Sequence, residues 1–323
     1  MPLRMAWCLG IQVSRDRHFN LPPRVCRGQL RKAAWELPCL GAKFSFTCAE
    51  KGPVVEKALP SYAQRLDALH RALEADFREI VARLPLGGRE FVVDAGCGDG
   101  FFTGLLAELL PQGRVAGLDS SPAFLQAAER RLQRPVGDDI VELIKGSVTE
   151  LPFDDQSVDV IFSAHSMQSY PDIPQTLREF KRALRPGGVL AVLETDNIHS
   201  IMLSWPPDLE LAVRAAEHRE IGDEDSYIGT YFPRFAPRLL DAAQFKDFHR
   251  EYVFIHRQRP ADEWLDRYVR LYLEYLLEET GGRLSAAQRS RLSELADPAS
   301  SRYLARQDNF FFGSLQAVMT ARA

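Results

Sequence analysis

The segment FVVDAGCGDG, at residues 91–100, decides the fold of this chain. Its three opening apolar residues form the continuous run that is typical of a buried parallel strand. The three glycines that follow let the backbone turn sharply and approach a ligand closely. Residues 101–110 then predict a helix that ends at Pro111. This order of strand, glycine loop and helix predicts a nucleotide-binding unit.

The spacing and charge of the loop indicate which kind of nucleotide it suits. A nicotinamide fingerprint, G-x-G-x-x-G, would require glycine at residue 101, where this chain has Phe101. Asp94 and Asp99 would repel a pyrophosphate, whereas they would attract a cationic, amine-bearing ligand. The loop therefore argues against an NAD-dependent oxidoreductase and favours a positively charged cofactor.

A second strand is predicted at Val115–Leu118, and it ends on Asp119. A carboxylate in this place can accept hydrogen bonds from both hydroxyls of a ribose. A nucleoside that carries a positively charged amino-acid tail describes S-adenosylmethionine (SAM). The residues themselves therefore favour SAM as the cofactor.

Strands and helices continue to alternate with short connections. Further strands are predicted at Ile140–Ile144, Val158–Phe162 and Val189–Leu193, with helices from Pro122 and from about Pro174 to Leu184. This alternation predicts a doubly wound α/β fold with a mostly parallel sheet, which binds ligands at the carboxyl ends of its strands. The segments expected to converge there are 94–100, 119, 147–148, 163–170 and 194–199.

Five motifs in a fixed order resemble the class I SAM-dependent methyltransferases of the type 11 group, which includes enzymes of quinone and biotin pathways. The motifs are VDAGCGDG at 93–100, GLDSSP at 117–122, LPF at 151–153, SVDVI at 157–161 and LRPGG at 184–188. The resemblance implies a Rossmann-like, seven-stranded sheet that is mostly parallel with an antiparallel last strand, plus helical insertions. It also implies methyl transfer from SAM to a small-molecule acceptor.

The resemblance also implies roles for individual residues. In this family the glycine loop supports the methionine part of SAM, the acid after the second strand binds the ribose and its neighbour lies beside the adenine. The cofactor-binding residues expected on this basis are Asp94, Ala95, Gly96, Gly98, Gly100, Asp119, Ser120, Ser147, Val148 and Ser163.

The chain departs from the family's pattern at two of its positions. Ser147 stands where the family usually has an Asp that bonds the adenine amino group, and its hydroxyl can accept a hydrogen bond without charge. Gln244 stands where the family often has the glycine of Ala-Gly-Phe before its sixth strand.

His165 is the candidate catalytic residue, because it follows the fourth predicted strand, where the methyl group should point. Methyl transfer is an in-line displacement that depends mainly on alignment, and a general base is needed only when the acceptor must lose a proton. The alternative is that His165 is part of the pocket wall. Tyr170 could orient an acceptor, and His199 is a weaker candidate base. No metal is expected, because the histidines lack metal-site spacing.

The remaining segments are interpreted as an N-terminal extension, as insertions in the domain, and as its further helices and strands. Residues 1–55 are interpreted as an N-terminal extension that need not be ordered, and 56–323 as the methyltransferase domain with substrate or lid insertions at about 195–240 and 261–305. A single helix of about 23 residues is predicted from a capping box at Ser61. An aromatic stripe on a helix at 261–279 is interpreted as core, with strands at 246–256 and 309–321 closing the sheet.

Composition limits the partners. The 323 residues carry a net charge of −4, which gives no global case for nucleic-acid binding, and no apolar run is long enough for a membrane span. A cytoplasmic enzyme with a small-molecule acceptor is therefore expected. The open alternatives are an RNA or protein acceptor, and a non-catalytic SAM-binding regulatory protein, which the Ser147 departure would suit.

Overall fold

The computed structural model describes residues 33–37, 42–46, 59–132, 140–196, 200–221 and 224–323. The chain divides into two units, residues 1–55 and 56–323. In the first unit, β1 (Ala33–Leu37) and β2 (Ala42–Phe46) pair as an antiparallel hairpin. The candidate base His199 lies outside the described residues.

The second unit is built on a sheet of eight strands within the described residues. The strands are β3 (Phe91–Ala95), β4 (Arg114–Asp119), β5 (Val141–Lys145), β6 (Val158–Ala164), β7 (Leu184–Thr195), β8 (Ile201–Leu203), β9 (Lys246–Gln258) and β10 (Phe311–Arg322). Their order by hydrogen-bonded neighbours is β5-β4-β3-β6-β7-β10-β8. Strand β9 pairs with β10 along the edge opposite to β7.

The sheet is parallel except at β10. Strands β3 to β7 pair in parallel, whereas β10 runs antiparallel to β7, β8 and β9. The predicted mostly parallel fold with an antiparallel last strand is confirmed. The predicted number of seven strands was wrong, because the short β8 lies within the segment that was interpreted as an insertion and adds to the edge of β10.

The described residues of the second unit contain ten α-helices in addition to this sheet. They are α1 (Leu59–Ala72), α2 (Glu74–Ala82), α3 (Phe101–Glu108), α4 (Pro122–Leu132), α5 (Ile173–Ala183), α6 (Pro207–Glu220), α7 (Glu224–Thr230), α8 (Phe232–Ala242), α9 (Glu263–Thr280) and α10 (Ala286–Ala296). No helix in the described part of the chain combines the length and apolarity that a membrane crossing requires.

Alternate residues of the central strands enter two separate apolar cores. Val92 and Val160 pack into the core that contains α2, α3 and α9. Val93 and Ile161, one residue further along each strand, pack into the core that contains α5 and α8. Because successive strand residues point to opposite faces, continuous apolar runs such as that of β3 are buried on both sides.

The helix predicted from Ser61 is in fact two helices. It begins earlier, at Leu59, so Ser61 lies inside α1 and is not its N-cap. The backbone leaves helical geometry at Leu73 (φ −118°, ψ 18°) before α2 begins. Leu73 is completely buried at this junction, and the apolar spacing continues across it, so the periodicity alone did not reveal the break.

The departure at Gln244 has a local geometrical explanation. Gln244 has a φ of 66° and follows the end of α8, where the N–H of Phe245 donates to the carbonyl of Leu240 at 2.9 Å. Such helix ends place a residue in the left-handed region, which costs a residue with a Cβ about 1 to 2 kcal/mol. The preference for glycine in this place is therefore conformational.

The aromatic stripe on α9 belongs to the core, as predicted. Tyr268 and Tyr272 are buried, while Trp264 and Tyr275 are partly buried against the same apolar cluster. Tyr272 also accepts a hydrogen bond at 3.0 Å from Arg214 of α6, so the two insertions are joined by packing and by this polar contact.

The N-cap of α5 gives a test of this local analysis. The carboxylate of Asp172 accepts a hydrogen bond from the N–H of Gln175 at 2.8 Å. We expect Asp172→Ala to lower the free energy of unfolding by about 1 kcal/mol, measured by urea denaturation. Asp172→Asn serves as the control and should retain most of the stability. Equal losses in both variants would contradict the capping role.

Candidate functional site

A cavity of about 390 Å³ lies at the carboxyl ends of β3, β4 and β6. Its position is the one expected for a ligand site in a doubly wound sheet, and its size is that of a small-molecule pocket. Eight residues that were predicted to form the site line it, namely Asp94, Gly96, Gly98, Asp119, Ser120, Ser147, Val148 and His165.

The glycine loop is shaped by close approaches that only glycine permits. Gly96 has a φ of 71°, and a Cβ there would lie 2.7 Å from the Ser166 hydroxyl. Gly98 has a φ of 54°, but a Cβ there would meet nothing within 4 Å, so this residue faces open space. The first glycine thus brings two loops together, and the second leaves a backbone surface that a ligand can approach.

Asp119 connects the end of β4 to this loop. Its two carboxylate oxygens accept hydrogen bonds from the N–H groups of Gly98 at 3.0 Å and Ser121 at 2.8 Å. Each oxygen keeps capacity for another donor, so both can still accept a ribose hydroxyl. Burial raises the pKa of Asp119.

Asp94 is the most deeply buried acid of the site, with 1% of its surface exposed. It accepts a hydrogen bond from the hydroxyl of Thr103 at 2.6 Å. Burial raises its pKa from 3.8 to about 7, and the nearby Asp119 and Asp99 add to this effect. A cation in the cavity would favour the ionised form of Asp94.

Asp99 does not add negative charge to the loop in the way that the sequence suggested. Its carboxylate lies 2.6 Å from the guanidinium of Arg131, which also contacts Asp67 of α1 at 2.8 Å. This ion pair compensates the charge of Asp99. The attraction for a cation therefore rests on Asp94 and Asp119.

Three of the predicted cofactor-binding residues support the wall of the cavity and do not line it. The carbonyl of Ala95 accepts a hydrogen bond from the Tyr170 hydroxyl at 2.7 Å, and that hydroxyl lies 2.9 Å from Ser163 Oγ. Gly100 packs against α4, where a Cβ would lie 2.9 Å from that of Ala128. Tyr170 lines the cavity, but these buried contacts already occupy its hydroxyl.

Ser147 lines the cavity with its hydroxyl already in use. Its Oγ lies 2.7 Å from the hydroxyl of Thr149 and accepts the N–H of the same residue at 3.2 Å. The Ser147 hydroxyl is therefore held in a local turn. Val148 also lines the cavity.

Two hydrogen bonds hold His165 in the wall of the cavity. Its backbone has a φ of 51°, and its N–H donates to the carbonyl of Leu193 at 2.8 Å. Its Nε2 lies 2.8 Å from Oε1 of Gln316 on β10. Burial lowers the pKa of the imidazole, so the ring is neutral near pH 7.

Two further residues contribute to the site: His70 was not identified from sequence, whereas Glu194 begins the segment 194–199 that was expected to converge there. His70 of α1 lines the cavity and stacks on Phe101 with ring centroids 4.1 Å apart. Glu194, at the end of β7, is buried and accepts the N–H groups of Ser166 and Met167 at 2.7 and 2.8 Å. An acid at the end of a predicted strand was a usable signal for Glu194, whereas the placement of His70 depends on how α1 packs.

Together, the Rossmann-like sheet, the glycine loop and the acid at the end of β4 define a protein that binds a nucleoside-containing cofactor. The profile of a family described as "Methyltransferase domain" matches residues 93–192. A trans-aconitate 2-methyltransferase of Azoarcus sp. is 33% identical over 229 residues, which are 69% of this chain and 85% of that protein. This chain belongs to the class I SAM-dependent methyltransferase family.

Two other similar proteins are a curated relative and a solved structure. A demethylmenaquinone methyltransferase of Symbiobacterium thermophilum is 32% identical over 151 residues, 45% of this chain and 60% of that protein. A SAM-dependent methyltransferase structure from Aquifex aeolicus has a TM-score of 0.44 at 18% identity and covers 81% of this chain and 99% of that one.

SAM is the cofactor of this family, and the residues of the cavity fit it. Gly98 presents an open backbone surface, Asp119 has free acceptor capacity for a ribose, and Asp94 is a buried carboxylate without a cationic partner among the contacts described here. These features match a nucleoside with a cationic tail.

The role of Asp119 can be tested directly. We expect Asp119→Ala to weaken binding of S-adenosylhomocysteine by more than about tenfold, because two charge-assisted hydrogen bonds are lost. Isothermal titration calorimetry gives the affinity, and thermal unfolding checks that the variant is folded. Asp119→Asn retains one acceptor oxygen and should bind with intermediate affinity. Unchanged affinity in Asp119→Ala would remove this residue from the ribose role.

The raised pKa of Asp94 predicts a pH-dependent affinity for SAM. Because its pKa is about 7 in the folded protein and 3.8 ordinarily, the protein without ligand loses stability as the pH rises through this interval. A bound cation favours the carboxylate, so SAM affinity should increase from about pH 6 to about pH 7.5, with proton release detected by calorimetry in two buffers. Asp94→Asn should abolish the dependence, whereas Glu194→Gln should retain it.

Proposed function

We propose that this protein transfers a methyl group from SAM to a small, uncharged acceptor within the cavity at the ends of β3, β4 and β6. Family membership supports methyl transfer. One similar protein is named for trans-aconitate and another for demethylmenaquinone, so small organic acceptors of quite different charge occur among the relatives.

The charge of the cavity wall favours an uncharged acceptor over a negatively charged one. Within the described chain the lining of the cavity contains neither Lys nor Arg. Its two histidines have pKa values lowered by burial and so contribute no positive charge near pH 7. A polycarboxylate would find no cation to offset its desolvation, whereas an uncharged molecule would not need one.

Apolar side chains complete the wall. Phe102 and Phe124 line the cavity together with Leu66 of α1. Flat aromatic and aliphatic surfaces of this kind favour a planar, conjugated acceptor through area burial and ring stacking.

The residues act mainly by holding the two reactants in line. SAM supplies a methyl group activated by a positively charged sulfur. Asp119 and Asp94 fix the cofactor's ribose and cationic end, and alignment of this sort can provide about 7 to 11 kcal/mol in the best oriented systems. His165, neutral and in the wall, accepts a proton from the acceptor where one must be lost.

A labelled-methyl assay tests this proposal. With 1,4-dihydroxynaphthalene as an uncharged planar probe and trans-aconitate as a charged one, we expect methylation of the first and not the second. His165→Ala should reduce turnover by at least about tenfold while S-adenosylhomocysteine affinity stays within about twofold.

The matched comparison is His249→Ala, which changes an exposed histidine on β9. That variant should retain full turnover. Preferential methylation of trans-aconitate would overturn the acceptor class, and full turnover by His165→Ala would return His165 to the role of a wall residue.

A further inference from the structure

A buried chain of polar side chains leads from the cavity to the last strand of the sheet. His165 Nε2 lies 2.8 Å from Gln316 Oε1, and Gln316 Nε2 donates to Ser314 Oγ at 2.9 Å. Gln316 and Ser314 are both completely buried. A buried glutamine is expensive unless both ends of its amide are bonded, and here both ends have a partner.

The two ends of the amide have different chemistry, and this determines the protonation of the imidazole. Because the NH₂ group of Gln316 donates to Ser314, its carbonyl oxygen faces His165 and requires a donor. With the amide in this orientation, only a protonated Nε2 meets this requirement. A neutral imidazole carries a single N–H, so Nδ1 of His165 must hold the free lone pair.

The rest of the surroundings prevent the ring from turning to another partner. The rings of Phe77 and Phe102 are in T-shaped contact with the imidazole of His165, each with ring centroids 5.8 Å apart. The backbone on either side is fixed by the bond from His165 N–H to Leu193 and by Glu194, which holds Ser166. Among the described groups, His70 of α1 is the titratable side chain that interacts with His165 across this cluster.

We propose that Gln316 is a positioning residue that holds His165 in the tautomer protonated at Nε2, so that Nδ1 is the general base for an acceptor that must lose a proton. This inference rests on the proposed function. An acceptor O–H or acidic C–H bond breaks as its proton moves to Nδ1, a new bond forms between that oxygen or carbon and the methyl carbon, and the methyl–sulfur bond breaks with its electron pair remaining on sulfur.

The proposal narrows the class of acceptor. The imidazolium that forms keeps its Nε2–H bond to Gln316, so the amide stabilises both protonation states of the base. A tertiary amine or a thioether has no proton to lose and would gain nothing from this arrangement. The arrangement therefore favours an uncharged acceptor that must lose a proton, such as a hydroxyl compound or a carbon acid.

Nitrogen NMR of the full chain with S-adenosylhomocysteine bound tests the tautomer without reference to turnover. With ¹⁵N-labelled histidine, the His165 signals, assigned by their loss in His165→Asn, should show protonation at Nε2. Gln316→Leu should mix or invert the tautomers. In Gln316→Glu the Nε2 proton should remain and the pKa of His165 should rise by about one unit or more, because a carboxylate favours the imidazolium.

Kinetics with 1,4-dihydroxynaphthalene then separate positioning from structural support. Gln316→Leu should lower kcat by about tenfold or more, while KM and the affinity for S-adenosylhomocysteine stay within about twofold of the wild-type values. Gln316→Glu should retain activity at high pH, and the acidic limb of its kcat–pH profile should move to higher pH. Gln175→Leu, which alters a glutamine on α5 that bonds the carbonyl of Thr149, is the matched control.

Each outcome bears on the proposal. A proton on Nδ1 in the wild type would overturn the proposal, and so would an unchanged tautomer in Gln316→Leu. A fall in kcat accompanied by an equally large rise in KM in that variant would also overturn it. If the tautomer is as expected and His165→Ala retains full turnover, the base role within the proposed function fails while the placement of the proton by Gln316 stands. If Gln316→Leu does not fold, the position of the proton in the wild type and in Gln316→Glu decides: a proton on Nε2 in both supports the proposal, and a proton on Nδ1 in either contradicts it.

Discussion

The two hydrogen bonds accepted by Asp119 are the constraint on which the site depends. They hold the N–H of Gly98 and the N–H of Ser121 to one carboxylate, so the glycine loop and the start of α4 are both fixed at the end of β4. The carbonyl of Leu118 adds bonds from Gly96 and Cys97 at 2.8 and 3.0 Å. A ligand therefore meets a loop whose shape is already set, which reduces the ordering cost of binding.

This arrangement concentrates negative charge where it is expensive to bury. Asp94 and Glu194 both have pKa values raised to about 7 by burial, and the cavity wall, as far as the structure describes it, has neither Lys nor Arg to offset them. The arginine beside the loop, Arg131, is used by Asp99 and Asp67 instead. The destabilised carboxylates are most easily explained by a cationic ligand that relieves the repulsion when it binds.

The fold and the cofactor half of the site were largely readable from sequence, because their signals are local. The strand before the loop, the glycines and Asp119 lie within residues 91–119, where periodicity and turn chemistry specify the geometry. The break at Leu73 and the extra strand β8 were missed, since an apolar stripe continues through the first and the second is only three residues long. Asp99 was misread because its partner Arg131 comes from a different helix.

The acceptor half depends instead on contacts between distant segments. Gln316 and His165 are 151 positions apart in the chain, and they meet because β10 runs antiparallel to β7, with Gln316 opposite Thr195. A shift of β10 by one residue would turn Gln316 to the other face of the sheet and replace it beside His165 with an apolar neighbour. The sequence contains a glutamine in a mostly apolar strand, but only the register of β10 against β7 places that glutamine beside His165.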